Sequence, residues 1–264
     1  MGFLRRLFGG ANTRGLNLNV TYFKRVRDDA AVQVVGEAYR QSSVASARPP
    51  GPNDLPPGLP APPAGYFKAM LIPEPTNQYD PNAIAVYLWA GGAWSQAGYL
   101  SRQDASAYQP LFRYLAPPAG GSPPGVSCDA APVPERGGIG VVLHLGTPGE
   151  CIAELVTDDR TPTEGHPWVG KVITFTGHSQ TTIHGIPIER EAQVMLARWA
   201  GCAVLPRVTK KVDALIAADP DEITGNHQRA SDYGIPVVSE AAFLSAIGIP
   251  SDMIGRVSGR WARG

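Results

Sequence analysis

Proline sets the strongest limit on what the first half of this chain can form. The segment RPPGPNDLPPGLPAPPAG, residues 48–65, contains eight prolines in eighteen positions, and APPAGGSPPG, residues 116–125, is similar. Proline has no backbone N–H and a nearly fixed φ, so neither segment suits a helix interior or a strand ladder. We therefore expect loops there, with only short elements around them.

Short strands with alternating apolar residues surround these two loops. The predicted strands are VQVVG (32–36), YFKAMLI (66–72), AIAVYLW (83–89), SQAGYL (95–100) and IGVVLHL (139–145). One short helix is predicted between the last two, at DASAYQPLF (104–112). Many short strands with a single helix are typical of a small β-barrel.

Strands alternate with helices in the second half. Strands are predicted at KVITFTG (171–177), AVL (203–205), VDALIAA (212–218) and IPVV (235–238). A helix from about Glu189 to Ala200 carries an apolar stripe at helical spacing, which indicates a side that faces a core. A helical turn follows near NHQRASDY, and Ser239 is expected to cap a last helix. This order predicts a short parallel sheet flanked by helices.

The predicted fold class is therefore multidomain α+β, with a small β-barrel followed by an α/β domain. Five regions are expected: a basic N-terminal tail (1–30), the barrel with its Pro-rich insertion (31–148), an acidic linker (149–167), the α/β domain (168–249) and a C-terminal tail (250–264). The net charge is zero, and the tail 1–30 alone carries a clear positive excess. Any nucleic-acid partner should therefore be gripped locally rather than by a broad basic face.

Composition gives no sign of membrane insertion, secretion, a metal or a cofactor. No apolar run approaches the roughly 20 residues that a membrane span requires, and MGFLRRLFGG lacks the apolar core of a secretory signal. Cys128, Cys151 and Cys202 lack the spacing of a zinc site and are expected to be ordinary thiols. We expect a cytoplasmic, nucleoid-associated protein.

Sequence signatures of catalysis are absent. VGKVIT (169–174) has a Gly-Lys pair but neither the upstream glycine nor the following Ser or Thr of a phosphate-binding loop. His178 and His184 share one loop without a carboxylate or thiol at metal-ligand spacing. The expected protein is therefore not an enzyme, which leaves binding as its function.

The segment NQYDPN, residues 77–82, is the strongest candidate for a binding site. Asn, Asp and Pro are also ordinary turn formers, so the residues alone leave a structural turn as an equal alternative. Tyr79 offers a face for stacking a base, Asn77 and Asn82 offer donors for phosphate oxygens, and Asp80 offers an acceptor for a sugar hydroxyl. Because a carboxylate repels phosphate, Asp80 is tolerated best at a 3′ terminus.

EPTNQYDPNAIAV (74–86), preceded by VVGEAYRQ (34–41) and followed by GYL (98–100), resembles the HIRAN domain. This small β-barrel occurs in replication-fork remodelling helicases and as a stand-alone bacterial module, and the resemblance spans about residues 31–148. It implies capture of single-stranded DNA at a 3′-hydroxyl end, with Tyr79 and Asp80 at the terminal nucleotide. It also implies that Tyr39 stacks on a base. Eukaryotic members carry a basic residue and two aromatics where this chain has Ala38, Tyr39 and Arg40, so Arg40 is expected to contact phosphate or stack its guanidinium.

Residues 168–249 resemble the BRCT domain through VITFTG, IEREA, AGCAVLPRVTKKVDALIAADP, ASDYGIPVVSEAAF and AIGI. Single BRCT domains of this type bind the 5′-phosphate of DNA, whereas tandem ones bind phosphopeptides. The resemblance implies phosphate-binding positions at Thr176, Gly177, Arg190, Gly201 and Asn226. Asn226 stands where the family has lysine. The loss of the lysine charge weakens the pocket unless a neighbour such as Lys210, His227 or Arg229 compensates.

Together these features predict a non-enzymatic protein of DNA repair or replication that binds DNA ends. The barrel would hold a 3′-hydroxyl single strand and the BRCT-like domain a 5′-phosphate. The alternative is an interaction adaptor whose BRCT-like domain docks a protein partner.

Overall fold

The structure of the chain is a computed structural model. It describes residues 8–13, 16–23, 31–36, 40–47, 49–50, 54, 58–116, 122–135, 138–158, 160–222 and 224–257. These residues divide between Gly146 and Thr147 into two compact units. Within the described ranges, no helix is long and apolar enough to cross a membrane.

The N-terminal unit is built mainly from short strands. Its described elements are β1 (Phe8–Thr13), β2 (Leu16–Tyr22), β3 (Val32–Val35), α1 (Gln41–Ser46), β4 (Phe67–Pro73), β5 (Ile84–Trp89), β6 (Trp94–Leu100), α2 (Arg102–Leu115), β7 (Pro124–Glu135) and β8 (Gly138–His144). Each strand predicted in this half is present, within one residue at either end. The sequence did not predict β1, β2, β7 or α1.

Six of these strands close into a barrel in the order β7-β4-β5-β6-β3-β8, with β8 pairing back to β7. The β1–β2 hairpin is added to this barrel because β2 pairs in parallel with the first residues of β7. Part of the basic N-terminal tail predicted for residues 1–30 is therefore a hairpin of the sheet. Leu18 and Val20 of β2 pack with Met70 and Tyr87 in one apolar cluster.

A buried ion pair joins β4 to β7 in the barrel wall. Lys68 is fully buried and pairs with Asp129, while its ammonium lies 4.1 Å from the centre of the Tyr22 ring. Burial lowers the pKa of Lys68, and the hydrogen bond and charge of Asp129 oppose that shift. The pair and the tyrosine thus connect β4, β7 and β2.

A side chain covers part of the outer edge of β8. Gln41, the first residue of α1, donates from Nε2 to the carbonyl of Ile139 and accepts from the Ile139 N–H, each at 3.0 Å. The amide thereby makes the two hydrogen bonds that a neighbouring strand would make. It does so beyond the part of β8 that pairs with β3, which is Val142 and Leu143.

The C-terminal unit combines parallel strands with helices. Its described elements are α3 (Pro148–Asp158), β9 (Val172–Thr176), β10 (Thr181–Ile183), β11 (Ile186–Pro187), α4 (Arg190–Trp199), β12 (Ala203–Val204), β13 (Ala214–Ala217), α5 (Gly225–Asp232), β14 (Val237–Ser239), α6 (Glu240–Ala246) and β15 (Ile254–Arg256). Strands β12-β9-β13-β14 form a parallel sheet, and β11-β10-β15 form a small antiparallel one. The predicted fold class, a β-barrel plus an α/β domain with a short parallel sheet, is confirmed.

The structure has a helix where the sequence suggested an acidic linker at 149–167. Thr147 and Glu150 cap α3 reciprocally: the Glu150 N–H donates to the Thr147 hydroxyl, and the Thr147 N–H donates to the Glu150 carboxylate. Cys151 and Ile152 of α3 are fully buried. The predicted tail 250–264 also differs, because β15 pairs with β10.

Candidate functional site

The loop between β4 and β5 is a compact hydrogen-bonded turn. The Glu74 N–H donates to the Ala83 carbonyl at 2.8 Å, and the Ala83 N–H donates to the Asp80 carbonyl at 3.0 Å. The Asn77 side chain organises the segment between them, since its Oδ1 accepts from the N–H groups of Tyr79 at 3.0 Å and Asp80 at 3.3 Å. Asn77 therefore contributes to the turn as the residue type predicts.

Asp80 is held from both sides by the protein. One carboxylate oxygen accepts from the Asn82 N–H at 2.9 Å, and the other lies 3.4 Å from Nε of Arg102, the first residue of α2. The Asp80 side chain is 23% exposed and that of Arg102 is 86% exposed. An ionised carboxylate has about four acceptor sites, so Asp80 retains capacity for a ligand donor.

A pocket of about 430 Å³ opens beside this turn. Its lining residues come from the turn, the end of β6 and the start of α2: Asn77, Tyr79, Asp80, Ala83, Tyr99, Leu100, Arg102 and Ala105. Tyr79 is 85% exposed, which leaves its ring open to a flat partner. An aromatic face, a carboxylate and a guanidinium at one pocket suit a ligand with a planar group, a hydroxyl and a phosphate.

Strand register places Tyr99 in this pocket. Ile72 pairs with Ala85, and Ala85 pairs with Tyr99, so β6 delivers its tyrosine next to the turn that follows β4. Gly98 permits the close pairing of β6 with β3, because a Cβ there would lie 2.4 Å from the Val35 carbonyl oxygen of β3. The Tyr99 hydroxyl donates to Glu74 at 3.2 Å, and Asn77 Nδ2 donates to the same oxygen at 3.1 Å.

Three of the six residues predicted for the 3′-end site line this pocket, namely Asn77, Tyr79 and Asp80. Asn82 lies in the same turn, where its carbonyl accepts from Gln109 Nε2 at 3.0 Å, but it does not line the pocket. Arg40 precedes α1, where its carbonyl accepts from Ser43 and Val44, and it is not among the lining residues. Tyr39 lies outside the described residues.

Sequence reasoning missed Tyr99 and Arg102. Tyr99 lies within the GYL motif, and Arg102 follows that motif in GYLSR, where Ser101 caps α2 by accepting from the Asp104 N–H at 3.1 Å. A serine cap followed by a basic residue, after a strand that ends near the turn, is the signal that would have indicated them.

A second cluster of polar residues lies in the C-terminal unit, where β9 ends. Thr176 ends β9, and its hydroxyl accepts from Asn226 Nδ2 in the first turn of α5 at 3.1 Å. Arg190, the first residue of α4, donates from Nη2 to the Gly177 carbonyl at 2.5 Å. Gly177 has a φ of 76°, which favours glycine. Four of the predicted phosphate-binding residues are thus brought together.

Arg190 is partly withdrawn from solvent in this cluster. Its guanidinium lies 5.1 Å from the centre of the Phe175 ring, and its Nη1 is buried without a hydrogen-bond partner among the described residues. Burial lowers the pKa of Arg190, and the charges of Glu240 and Glu191 oppose that shift. A buried donor without a partner favours an acceptor such as a phosphate oxygen.

Glu240 is a charged residue of this region that sequence reasoning missed. It is 2% exposed and accepts hydrogen bonds from Gln193 at 2.5 Å, Thr181 at 2.7 Å and Ser179 at 3.0 Å. Its negative charge acts on Arg190 and offsets part of the positive charge that a phosphate would meet. No sequence pattern indicates this role, because Glu240 is an ordinary acidic residue of the first turn of α6.

Gly201 and Lys210 lie away from this cluster, unlike the arrangement the resemblance implied. The Gly201 carbonyl accepts from the Gly170 N–H, which precedes β9, whereas Thr176 is at its other end. The Lys210 ammonium lies 5.8 Å from the ring of Tyr233, which follows α5, whereas Asn226 is in its first turn. The described contact of Lys210 is therefore with the end of α5 opposite to Asn226.

Residues 170–247 match the family model of the BRCA1 C Terminus (BRCT) domain. The C-terminal unit contains a BRCT domain. Such a domain is a binding module rather than a catalytic one, and it serves DNA-repair or protein-interaction roles in general. No HIRAN family model matches the chain, while the closed six-stranded barrel is compatible with that resemblance. No curated protein matches the chain.

The described residues contain no group of three or more His, Cys, Asp or Glu side chains placed to hold a metal ion. Cys128, Cys151 and Cys202 are buried free thiols. Burial raises the pKa of Cys202 to about 11. A thiol with a raised pKa is a poor nucleophile and a poor metal ligand at neutral pH.

Proposed function

We propose that this protein binds DNA ends and uses its barrel pocket to hold the 3′-hydroxyl terminus of a single strand. The proposal rests mainly on the pocket of about 430 Å³, which is lined by Tyr79, Asp80 and Arg102 among others. Tyr79 stacks on the last base, Asp80 accepts from the terminal hydroxyl, and Arg102 binds the phosphate that precedes it. The HIRAN resemblance supports the same assignment.

The BRCT domain binds a 5′-phosphate in this proposal. Thr176, Gly177, Arg190 and Asn226 support it, because they combine a hydroxyl, a guanidinium and the N-terminus of α5. We expect this site to bind phosphate more weakly than a pocket with two free cations. Asn226 stands in place of a lysine, and the negative charge of Glu240 acts on Arg190. Together the two sites would serve DNA repair or replication without catalysis. In this proposal the protein is cytoplasmic and associates with the nucleoid.

The second candidate function is an interaction adaptor whose BRCT domain docks a protein partner. The observation that favours it is that two donors of the cluster already have partners in the protein: Asn226 bonds Thr176, and Arg190 Nη2 bonds the Gly177 carbonyl. A phosphate would have to replace contacts that the domain already makes.

Fluorescence anisotropy with labelled oligonucleotides tests the barrel site. The wild-type chain is expected to bind a single strand with a 3′-hydroxyl about tenfold more tightly than one with a 3′-phosphate. Tyr79→Ala should weaken binding to both strands by about fivefold to a hundredfold, the range of one base-stacking contact. Tyr233→Ala removes another exposed tyrosine and should change neither affinity. Equal binding of the two strands by the wild type would contradict the proposal.

A second series tests the BRCT site with duplexes that carry or lack a 5′-phosphate. Arg190→Ala should abolish the preference for the phosphorylated end, and Arg198→Ala, an exposed arginine of the same helix, should preserve it. If the wild type shows no such preference, yet captures proteins from a nuclease-treated extract through its BRCT domain, the adaptor function replaces this half of the proposal.

A further inference from the structure

Glu74 makes one carboxylate oxygen the meeting point of two walls of the barrel pocket. Its Oε2 accepts from the Tyr99 hydroxyl of β6 at 3.2 Å and from Asn77 Nδ2 of the turn at 3.1 Å. The Glu74 backbone is fixed as well, because its N–H donates to Ala83 and its carbonyl accepts from the Asn77 N–H. Glu74 itself does not line the pocket.

The chemistry of a carboxylate sets the direction of both hydrogen bonds. An ionised carboxylate can only accept, so the single Tyr99 proton must point toward Glu74. For the same reason Asn77 must turn its Nδ2 toward Glu74, which leaves Oδ1 for the N–H groups of Tyr79 and Asp80. One side chain therefore fixes the orientation of the other two.

The orientation of Tyr99 decides what the pocket offers a ligand. With its proton committed to Glu74, the Tyr99 oxygen has only lone pairs left, and Asp80 is likewise an acceptor. Tyr99 and Asp80 both line the pocket, so this region favours a group that donates a hydrogen bond. A hydroxyl donates, whereas a phosphate dianion offers acceptors only and is opposed by the charge of Asp80.

We propose that Glu74 is a specificity-determining residue of the barrel pocket, which selects a terminal sugar hydroxyl over a terminal phosphate by holding Tyr99 as a hydrogen-bond acceptor. This inference rests on the proposed function of the pocket. Glu74 acts through Tyr99 and is a positioning residue, since it does not line the pocket itself. Arg102 remains available for the preceding phosphate because its side chain is 86% exposed.

Two substitutions separate this role from a purely structural one. Glu74→Leu keeps a similar side-chain volume but has no acceptor, so it releases the Tyr99 proton toward the ligand. Tyr99→Phe removes the oxygen and leaves the Glu74–Asn77 hydrogen bond in place. Glu135→Gln is the control, because Glu135 is an exposed glutamate of the barrel that bonds Gln33 and does not line the pocket.

The measurement is the anisotropy of the full chain with single strands that end in a 3′-hydroxyl, a 3′-phosphate or a 3′-deoxy sugar. We expect the wild type and Glu135→Gln to prefer the 3′-hydroxyl about tenfold. Glu74→Leu and Tyr99→Phe should each reduce that preference to about twofold or less, while affinity for the 3′-deoxy strand changes less than threefold. The double variant should lose no more than either single variant, since both act through one hydrogen bond.

The outcomes distinguish this inference from the function on which it rests. A wild type without any 3′-hydroxyl preference overturns the proposed function of the pocket. A wild type with the preference, together with variants that retain it, overturns only the role of Glu74. If thermal denaturation shows that Glu74→Leu does not fold, Tyr99→Phe decides, because a retained tenfold preference there excludes Tyr99 as the selecting acceptor.

Discussion

At the scale of single residues, the segment NQYDPN serves as a turn and borders a pocket. The sequence left a structural turn and a binding site as equal interpretations; the structure shows the turn, and the site stays a prediction. The Asn77 and Asp80 side chains bond backbone N–H groups of the turn, whereas Tyr79 is 85% exposed. The residue types predicted the turn bonds because Asn and Asp commonly make them. The residue types did not predict that Tyr99 and Arg102 lie beside this turn, because their position depends on how β4, β5 and β6 pair.

The buried pair Lys68–Asp129 permits a prediction about stability. Lys68→Met leaves the buried Asp129 carboxyl group without its cation, so we expect it to lower the free energy of unfolding by about 3–5 kcal/mol. The double variant Lys68→Met/Asp129→Leu should lose much less, because it removes both buried charges. Urea unfolding followed by circular dichroism measures both.

The exposed pair Lys171–Asp213 is the matched control for this prediction. Its atoms are 3.7 Å apart and its side chains are 48% and 42% exposed. Lys171→Met should therefore change stability by less than about 1 kcal/mol. Equal losses from the two lysine substitutions would mean that Lys68 does not depend on its buried partner.

At the scale of secondary-structure elements, alternation of apolar residues predicted most barrel strands but not β7. This strand contains Pro132 and Pro134, and proline usually argues against a strand. The two prolines pair with Val141 and Ile139 of β8, in a part of β7 beyond its pairing with β2 and β4. Among the described residues, no strand pairs with this part of β7 on the side away from β8, so the missing N–H groups of the prolines interrupt no hydrogen-bond ladder there. Composition could not reveal this one-sided pairing.

Helix α3 extends the C-terminal unit beyond the residues that match the BRCT model. It packs against α4 and the small antiparallel sheet, with Cys151, Ile152 and Ala153 fully buried. Its acidic residues made the segment resemble a linker, although the burial of one apolar side is what fixes it. We expect a fragment of residues 147–257 to be more stable to heat than one of residues 168–257. Equal melting temperatures for the two fragments would contradict this.

The junction of α3 and α4 should respond to pH through Glu189. Burial raises the pKa of Glu189, the charges of Glu150 and Glu191 add to the shift, and hydrogen bonds from its own backbone and Thr147 oppose it. A raised pKa in the folded state means that Glu189 favours folding while protonated. Its contribution is complete below the ordinary value of 4.5 and is lost as pH rises through the raised value.

Glu189→Gln should therefore increase the urea midpoint at pH 7 and give a smaller difference near pH 4. Glutamine retains an oxygen that can accept from Thr147, so the substitution removes mainly the buried charge. Glu164→Gln, a change at an exposed glutamate of the same unit, should leave the midpoint nearly constant at both pH values. A lower midpoint for Glu189→Gln at pH 7 would show that the ionised form stabilises the junction.

At the scale of the whole molecule, the two candidate sites place few cations against DNA, and the net charge is zero. Arg102 and Arg190 are the described cations that the proposal assigns to phosphate. Each phosphate neutralised on a single strand contributes about −0.7 to the slope of log affinity against log salt. We expect a shallow slope, between about −1 and −2, in an anisotropy titration of the full chain. A slope steeper than about −4 would indicate that other basic residues dominate binding.

Two weak sites on one chain gain affinity together only if one DNA molecule reaches both. An oligonucleotide with a 3′-hydroxyl single strand and a recessed 5′-phosphate should then bind more tightly than either end alone. Arg190→Ala and Tyr79→Ala should each reduce its binding to the level of the remaining site.

The Gln41 side chain affects the tendency of the protein to aggregate at high concentration. Strand edges with free N–H and carbonyl groups recruit strands from other molecules, and such pairing is a common beginning of aggregation. Gln41 occupies both hydrogen-bonding groups of Ile139 at the exposed edge of β8, where Ile139 itself is 38% exposed. One amide thus covers a short apolar edge that could otherwise self-associate, and we expect Gln41→Ala to lower the solubility of the protein.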